Sequence, residues 1–272
     1  MSRSRLALLV PLLLVGCGPV RPDRHPFPSG HLVDLSHAYD DQTIFWPTAE
    51  AFVLEKEFEG MTEGGYYYAA NRFRMSEHGG THIDAPIHFH QSGATVDRIP
   101  LEQLMGAGVV VDVTEACGKD PDYRISVDDL LRWEKANGTI PEGTIVFFRT
   151  GFGRFWPDRT RYLGTDERGP QAVPKLHFPG LDPEAARWLV AHRGIRAVGL
   201  DTASIDCGQS KLFETHRILF EKEIPAFENL ANLDRLPARG FEVIALPMKI
   251  KGGSGGPLRA VAILPISEPA RP

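Results

Sequence analysis

The sequence has few cysteines, no cluster of lysine and arginine, no apolar run long enough to cross a bilayer, and no internal repeat. A net charge of −5 without a basic cluster gives no reason to expect a nucleic-acid partner. The chain has three cysteines among 272 residues. Cys17 belongs to the N-terminal segment considered next, so Cys117 and Cys207 are the two that lie in the body of the chain. These two thiols either pair or stay free and buried, because spacing along the chain does not report distance in the fold.

The first seventeen residues are typical of a bacterial export signal. Arg3 and Arg5 precede an apolar run over residues 6–15 that is too short to span a membrane. The run leads into Leu-Val-Gly-Cys, which resembles the lipobox whose cysteine, here Cys17, becomes the lipidated first residue. An ordinary cleaved signal with an incidental cysteine is the alternative. Residues 18–30 are then a tether, and we expect an exported protein, lipid-anchored in the cell envelope and facing the periplasm.

Residues 31–272 predict a single α/β domain, a mixed sheet with flanking helices. The chain is 42% hydrophobic and 24% charged, an ordinary globular balance that allows one large core. Apolar and alternating runs predict strands at 31–35, 52–58, 66–75, 108–113, 144–149, 197–201, 241–247 and 259–266. Helices are predicted at 100–105, 127–137, 182–192 and 215–221, with Ser126 as the N-cap of the second. Because the strands and helices interleave, we expect an α/β fold.

Two segments between these elements have distinctive compositions. Residues 151–176 are rich in glycine, proline, arginine and aromatics, and we interpret them as a long functional loop. Residues 251–257 form a glycine-rich loop between the last two strands.

Residues 78–88 carry the clearest chemical signal. His78, His82, Asp84 and His88 fall within eleven residues, separated by two glycines and a proline. Imidazoles and a carboxylate suit divalent metals, and a cluster without cysteine is typical of an open catalytic centre, because closed structural zinc sites are usually cysteine-rich. We predict that the first three side chains bind a metal. His88 is either a further ligand or, as we favour, the general acid and base, since imidazole titrates near neutrality.

This stretch resembles the signature His-x-Gly-Thr-His-x-Asp-x-Pro-x-His of a metal-dependent cyclase family. The family includes bacterial kynurenine formamidases (arylformamidases) and isatin hydrolases, and Gly80, Thr81 and Pro86 match its signature. Its formamidases also carry a downstream His and Glu twelve residues apart, as His216 and Glu228 are here. That pair alone would be unremarkable.

Further segments extend the resemblance over residues 31–266. Residues 201–206 resemble the Asp-x-x-Ser-x-Asp run that precedes the second pair, and residues 45–47 resemble an aromatic-Trp-Pro loop. The resemblance implies a swivelling β/β/α fold, usually dimeric or larger. It also implies that Asp84 bridges to a second metal held by His216 and Glu228, and that Trp46 lines the substrate pocket. We expect zinc, or else manganese, with one or two ions per subunit.

Together these features predict a metal-dependent amidohydrolase that uses activated water. The expected substrate is an aryl formamide or cyclic amide, like N-formylkynurenine or isatin. We expect Trp46, together with Phe45 or the aromatic residues at 152–156, to stack on it. Two departures leave another amide or a lactone open. Formamidases often have a proline in the loop before the second pair, where residues 205–210 of this chain have none. The predicted export is also unusual for a tryptophan-degrading enzyme, because the substrate of such an enzyme arises in the cytoplasm. A non-enzymatic, metal-containing periplasmic binding lipoprotein is the alternative from another class.

Overall fold

The computed structural model of the protein describes residues 30–266. The predicted signal peptide and lipobox at 1–17 lie outside the described residues, as does the predicted tether apart from Gly30. The strands are β1 (His31–Asp34), β2 (Val53–Met61), β3 (Tyr67–Arg74), β4 (His82–Asp84), β5 (Met105–Asp112), β6 (Arg124–Ile125), β7 (Ile145–Arg149), β8 (Gly180–Leu181), β9 (Ala197–Leu200), β10 (Ala226–Glu228), β11 (Arg239–Pro247) and β12 (Gly255–Leu264). The α-helices are α1 (Leu101–Leu104), α2 (Thr114–Lys119), α3 (Val127–Asn137), α4 (Arg159–Leu163), α5 (Pro183–His192) and α6 (Glu214–Phe220).

An eight-stranded mixed sheet forms the centre of the fold. Its order is β1-β12-β11-β5-β7-β9-β10-β4, and β4 also pairs with β12. Strands β5, β7, β9 and β10 run parallel to one another, whereas β1, β11, β12 and β4 pair in antiparallel fashion. The second pairing of β4 closes the sheet into a barrel. The predicted α/β fold with a mixed sheet is therefore confirmed.

The parallel strands are apolar runs because both of their faces are covered. Residues 145–148 of β7 and 197–200 of β9 are all buried, and the two main hydrophobic clusters lie on opposite faces of the sheet. The predicted cap of α3 is confirmed: Ser126 accepts from the amide of Asp129, and the Asp129 carboxylate accepts from the amide of Ser126. This reciprocal arrangement satisfies two amides that a helix leaves unpaired at its start.

The segment at 151–176 differs from the predicted loop. It contains α4 and two 3₁₀ helices, Phe152–Phe155 and Pro170–Lys175. Asp158 caps α4 by accepting from the amide of Arg161, and Gly164 ends it with a φ of +86°. Tyr162 and Leu163 are fully buried. Such short helices depend on tertiary packing, which composition alone does not reveal.

Three further observations bear on the predictions. Cys117 and Cys207 are both free and buried, so of the two alternatives that the sequence left open the structure has the unpaired thiols. Strands β2 and β3 form a hairpin that pairs with no other strand among residues 30–266. No helix in this described range has the length and apolar character needed to span a membrane.

Candidate metal centre

The closure of the barrel brings residues 78–88 against the second half of the chain. Strand β4 carries His82 and Asp84 and lies between β12 and β10. Its antiparallel register sets His82 opposite Glu228 of β10. His216 lies on α6, just before β10, and its Nε2 comes within 3.1 Å of Asp84 Oδ2 across 132 positions of sequence. The two parts of the predicted site therefore meet.

The turn that leads into β4 requires its glycines. Gly80 has a φ of +58°, and a Cβ on it would lie 2.6 Å from the Tyr39 ring. A Cβ on Gly79 would collide with the ring of Phe45. The Tyr39 hydroxyl lies 2.9 Å from the carbonyl oxygen of Gly79 and 2.6 Å from that of Thr81. These contacts fix the backbone that presents His82 to the interior.

Two groups of potential metal ligands share Asp84. One consists of His78, His82 and Asp84, the other of Asp84, His216 and Glu228, and within each group the ligand atoms lie within 4.8 Å of one another. Asp84 Oδ1 lies 2.6 Å from His78 Nδ1 and 3.1 Å from His82 Nε2. Glu228 lies 3.2 Å from His216 Nε2 and 3.5 Å from His82 Nε2. The structure thus assembles all five predicted ligands in one centre.

The imidazoles of His78, His82 and His216 each have one nitrogen bonded to a group outside the cluster and one nitrogen that faces the carboxylates. His82 Nδ1 lies 2.9 Å from the carbonyl of Gly80, and His216 Nδ1 lies 2.6 Å from Asp206 Oδ2. A carbonyl only accepts, and Asp206 also accepts from backbone amides, so these Nδ1 atoms carry the proton. The lone pair of each Nε2 then faces Asp84 and Glu228, as ligation of a metal requires.

The donor set fits a divalent cation. The buried Nε2 of His82 has no hydrogen-bond partner, although it lies close to two carboxylates. An unpartnered buried nitrogen is costly, and lone pairs that face one another are stabilised when a cation lies between them. Nitrogen and oxygen donors without sulfur suit a catalytic zinc or a harder divalent ion.

Without a cation, protons balance the clustered carboxylates. Burial lowers the pKa of His82, but Asp84 and Glu228 outweigh burial and raise that pKa to about 9. Burial acts to raise the pKa of Asp84, yet His78 and His82 hold it well below its usual value. The pKa of Glu228 is raised by burial and by the charge of Asp84. A centre that attracts protons in this way also attracts metal ions.

His88 differs from the three potential ligand histidines, His78, His82 and His216. It belongs to neither group of potential ligands among the described residues, and its ring stacks on His78 with centroids 3.9 Å apart. Burial lowers the pKa of His88 to about 4, against the opposing pull of Asp84. The imidazole is therefore neutral near pH 7 and available to accept a proton.

A cavity of about 360 Å³ opens onto the centre, within the range of small-molecule sites. Trp46, predicted to line the pocket, does so, and Phe45 joins it. Phe89 and Phe213, which the sequence did not single out, complete the aromatic lining. The full lining comprises Ile44, Phe45, Trp46, Ala49, Ser76, His78, Gly79, His82, Asp84, His88, Phe89, Ala203, Ser204, Phe213, His216, Glu228 and Asn229.

The aromatic cluster at 152–156 does not line this cavity, so its suggested role in stacking on the substrate is wrong. Phe152 is buried in the core, and Trp156 stacks on His37 with centroids 4.1 Å apart. Phe155 lies beneath the guanidinium groups of Arg154 and Arg161. These rings pack the segment onto the domain.

The same segment supports the centre indirectly. The buried Tyr162 hydroxyl donates to Asn229 Oδ1 at 2.9 Å. The Asn229 amide donates at 2.8 Å to the Gly80 carbonyl, which also accepts from His82. Sequence reasoning missed Tyr162 and Asn229, because neither belongs to a motif. Asp206 belongs to the Asp-x-x-Ser-x-Asp run at 201–206, but the sequence alone does not indicate that it orients His216.

Comparisons with known proteins agree with this geometry. The profile of the Cyclase family matches residues 33–207. An isatin hydrolase of Roseibium aggregatum is 33% identical over 209 residues, covering 74% of this chain and 77% of that protein. A kynurenine formamidase of Paracidovorax citrulli is 32% identical over 191 residues, covering 70% and 78%. A solved isatin hydrolase bound to the product analogue thioisatinate is 29% identical, with a TM-score of 0.78 and coverage of 88% of this chain and 94% of its own.

The family match spans more than half of the chain, and the solved structure shares its fold over most of its length. The resemblance over residues 31–266 and the swivelling β/β/α fold that it implied are therefore confirmed. The chain belongs to the cyclase family of metal-dependent hydrolases.

Proposed function

We propose that the chain hydrolyses the C–N bond of a neutral aryl amide, with isatin as the representative substrate. The observation that carries this proposal is the cavity itself. It places two carboxylate–imidazole clusters that share Asp84 beside aromatic walls that include Trp46, Phe89 and Phe213. An aromatic ring packs well against such walls while its amide carbonyl faces the centre.

The lining of the cavity favours a cyclic amide such as isatin over N-formylkynurenine. The lining residues, all within the described range, include no lysine or arginine. The amino-acid end of N-formylkynurenine carries a carboxylate, which would lack a cationic side chain among these apolar groups and would be costly to desolvate. Isatin has no such group. The isatin hydrolase of Roseibium aggregatum, at 33% identity, is consistent with this choice.

The roles of the ligands follow from the two clusters. His78, His82 and Asp84 would hold one divalent ion, and Asp84, His216 and Glu228 would hold a second. A bound divalent ion supplies Lewis acidity, which polarises the carbonyl and brings the pKa of a water molecule toward neutrality. We propose zinc, with manganese as the alternative, because three imidazoles and two carboxylates suit both.

The residues around the ions carry out the remaining steps. His88, neutral and on the cavity wall, accepts a proton from the attacking water and returns it to the leaving nitrogen. Trp46 and Phe213 lie edge to face with centroids 6.2 Å apart and hold the aromatic ring. Gly80 and Asp206 keep His82 and His216 in the tautomer that leaves Nε2 free.

The test compares hydrolysis of isatin and of N-formyl-L-kynurenine by the full chain, stripped of metal with a chelator and reloaded with Zn²⁺ or Mn²⁺. We expect turnover only after reloading and a higher kcat/KM for isatin. The Asp84→Asn variant should lose activity, whereas the control variant His177→Ala, altered at an exposed histidine outside the cavity, should retain it. Metal-independent turnover would contradict the proposal.

Other outcomes of the same experiment separate the alternatives. A preference for N-formyl-L-kynurenine would reverse the substrate argument but keep the hydrolytic centre. Turnover of a different amide or a lactone in a wider panel would support the broader alternative. Tight binding of these compounds without any turnover would favour a binding lipoprotein.

We also propose that a second copy of the chain covers the β2–β3 hairpin. A two-stranded hairpin is marginally stable alone, yet Met61, Tyr67 and Phe73 are 66%, 60% and 49% exposed on it. A ribbon ~30 Å long and ~10 Å wide offers ~600 Å² on its two faces, so a reciprocal pair approaches the ~1,200 Å² of a small stable interface. Arg72 pairs with Glu57 on the hairpin. Because the hairpin carries both positive and negative side chains, two copies of it can face each other without repulsion of like charges.

Light scattering of the full chain in mild detergent tests this assembly. We expect a dimer or larger homo-oligomer that dissociates in a Tyr67→Lys, Phe73→Lys double variant. The Leu131→Lys variant, altered at an exposed leucine of α3, should assemble normally. A monomeric wild-type chain would contradict the proposal.

Finally, we propose that the protein is exported and anchored through a lipid on Cys17. The support is the lipobox-like Leu-Val-Gly-Cys after a basic start and an apolar run. Mass spectrometry should find an acylated N-terminal cysteine, and Cys17→Ser should release the protein from the membrane fraction. An unmodified N-terminus beyond residue 17 would contradict the anchor.

A further inference from the structure

The glycine-rich segment 251–257 lies directly against the metal centre. Its last residues enter β12, where Gly255 pairs with Asp84 and Gly256 pairs with Ile83 of β4. The carbonyl of Ser254 accepts from the amide of Ala85 at 2.9 Å. Pro257 pairs with His82 at the start of the strand, so the segment runs along the whole of β4.

Two glycines of this segment are required by close approach to the first ligand histidine and its neighbour. A Cβ on Gly255 would lie 2.6 Å from Cε1 of His78 and 2.5 Å from the carbonyl oxygen of Ile83. A Cβ on Gly253 would lie 2.7 Å from Oε1 of Glu77. Side chains at either position would displace these groups. The composition of the segment thus reflects its packing against residues 77–83.

Ser254 lies between these glycines and links Glu77 to His78. Its Oγ is 2.9 Å from His78 Nε2 and 2.7 Å from Glu77 Oε2. Its backbone amide donates to the same Glu77 oxygen at 3.0 Å. The carboxylate accepts both bonds, so the single hydroxyl proton of Ser254 points to Glu77. The hydroxyl oxygen then accepts from His78 Nε2–H.

This chain of hydrogen bonds determines which nitrogen of His78 is free. With the proton on Nε2, the lone pair of Nδ1 faces Asp84 Oδ1 at 2.6 Å, inside the first ligand group. His82 and His216 are held in the same manner by Gly80 and Asp206. Ser254 and Glu77 complete the pattern for the third histidine.

We infer that Ser254 and Glu77 are positioning residues that hold His78 in the Nδ1-ligating tautomer. This inference rests on the proposed metal centre, but it concerns metal affinity and requires no turnover. Partners of this kind typically change metal affinity by about 10- to 100-fold. Because Ser254 contacts His78 and neither His216 nor Glu228, the loss should be confined to the ion bound by His78.

The experiment titrates the metal-free full chain with Zn²⁺ in competition with a chelator. The same titration in the His216→Ala background, which lacks a ligand of the second group, isolates the first cluster of His78, His82 and Asp84. Ser254→Ala should weaken binding at that cluster by ~10- to 100-fold. Glu77→Gln, which keeps an oxygen that accepts from Ser254, should weaken it less than Glu77→Ala. Lys251→Ala, at an exposed position of the same segment, is the matched control and should bind as the wild type does.

Long-range ¹H–¹⁵N spectra of the Zn²⁺-loaded chain provide a second readout. We expect His78 to be protonated at Nε2 in the wild type and to lose this defined tautomer in Ser254→Ala. Affinity within twofold of wild type in Ser254→Ala, or an equal loss at both clusters, would overturn the inference. A wild-type chain that binds Zn²⁺ and responds as expected but turns over no amide would sustain this inference while refuting the proposed function.

Discussion

Replacing His88 by alanine separates proton transfer from metal binding. His88 lines the cavity but belongs to neither ligand group of the described residues. Its pKa of about 4, lowered by burial, means that neutral imidazole exceeds imidazolium by ~10³-fold at pH 7. Essentially every wild-type molecule therefore has the base available, and its removal should show its full effect at neutral pH.

The expected loss in kcat/KM is on the order of 10²- to 10⁴-fold, which corresponds to ~3–5 kcal/mol of transition-state stabilisation. Steady-state isatin hydrolysis at pH 7 measures this loss, and elemental analysis should find unchanged metal content. At saturating metal, the deficit should narrow below about pH 4, because a lowered imidazole pKa means that the base function of the wild type disappears as pH falls through that value.

His90→Ala is the control, since His90 lies two residues further along and does not line the cavity at the metal centre. Its kcat/KM should stay within twofold of wild type. Activity of His88→Ala within threefold of wild type would remove His88 from the mechanism. A parallel loss of metal would instead identify His88 as a ligand.

Three further predictions follow from individual groups. The pKa of His82 in the metal-free centre is about 9, because Asp84 and Glu228 outweigh the lowering by burial. A cation must displace this proton, and that of His216, whose pKa is raised as well. Apparent metal affinity in chelator competition should therefore rise by ~10-fold or more per pH unit from 7 toward 9, and a flat profile would refute this. Trp46→Ala should raise the KM for isatin by roughly 2- to 13-fold with little change in kcat, given ~0.5–1.5 kcal/mol per aromatic pair, whereas Trp46→Phe should stay close to wild type; equal KM values for all three proteins would exclude stacking by Trp46. Ser126→Ala removes the capping box of α3 and should lower the free energy of unfolding by about 1 kcal/mol in urea titrations, with kcat unchanged; an unchanged unfolding midpoint would show that the cap adds nothing.

The strands were predictable where burial follows directly from composition. Residues 108–113 and 144–149 are mainly apolar runs, and the structure buries them between two layers except for Asp112 and Arg149. Segment 151–176 was not predictable in the same way. Its short helix α4 is held by the buried Tyr162 and Leu163, and no periodic pattern of adequate length marks it.

The residues of the candidate site also differ in how far the sequence alone predicts that they meet. His78, His82, Asp84 and His88 lie close in sequence, so their meeting required only a local turn. The approach of His216 to Asp84 depends on the pairing of β4 with β10. Spacing alone does not encode that contact, and only the family resemblance suggested it.

The supporting and lining residues were the least predictable. Phe89 and Phe213 line the cavity, but an isolated phenylalanine in a loop has the same sequence context whether it packs a core or a pocket. Ser254 was visible only as part of a glycine-rich loop. Its contact with His78 arises across 176 positions, through the pairing of β12 with β4 that closes the barrel.

Anomalous diffraction from crystals of the active, metal-loaded protein tests the central claim most directly. The account predicts a metal ion enclosed by His78, His82 and Asp84, with any second ion between Asp84, His216 and Glu228. It would be contradicted by an active crystal in which these two clusters hold no metal, or in which the metal lies elsewhere on the chain.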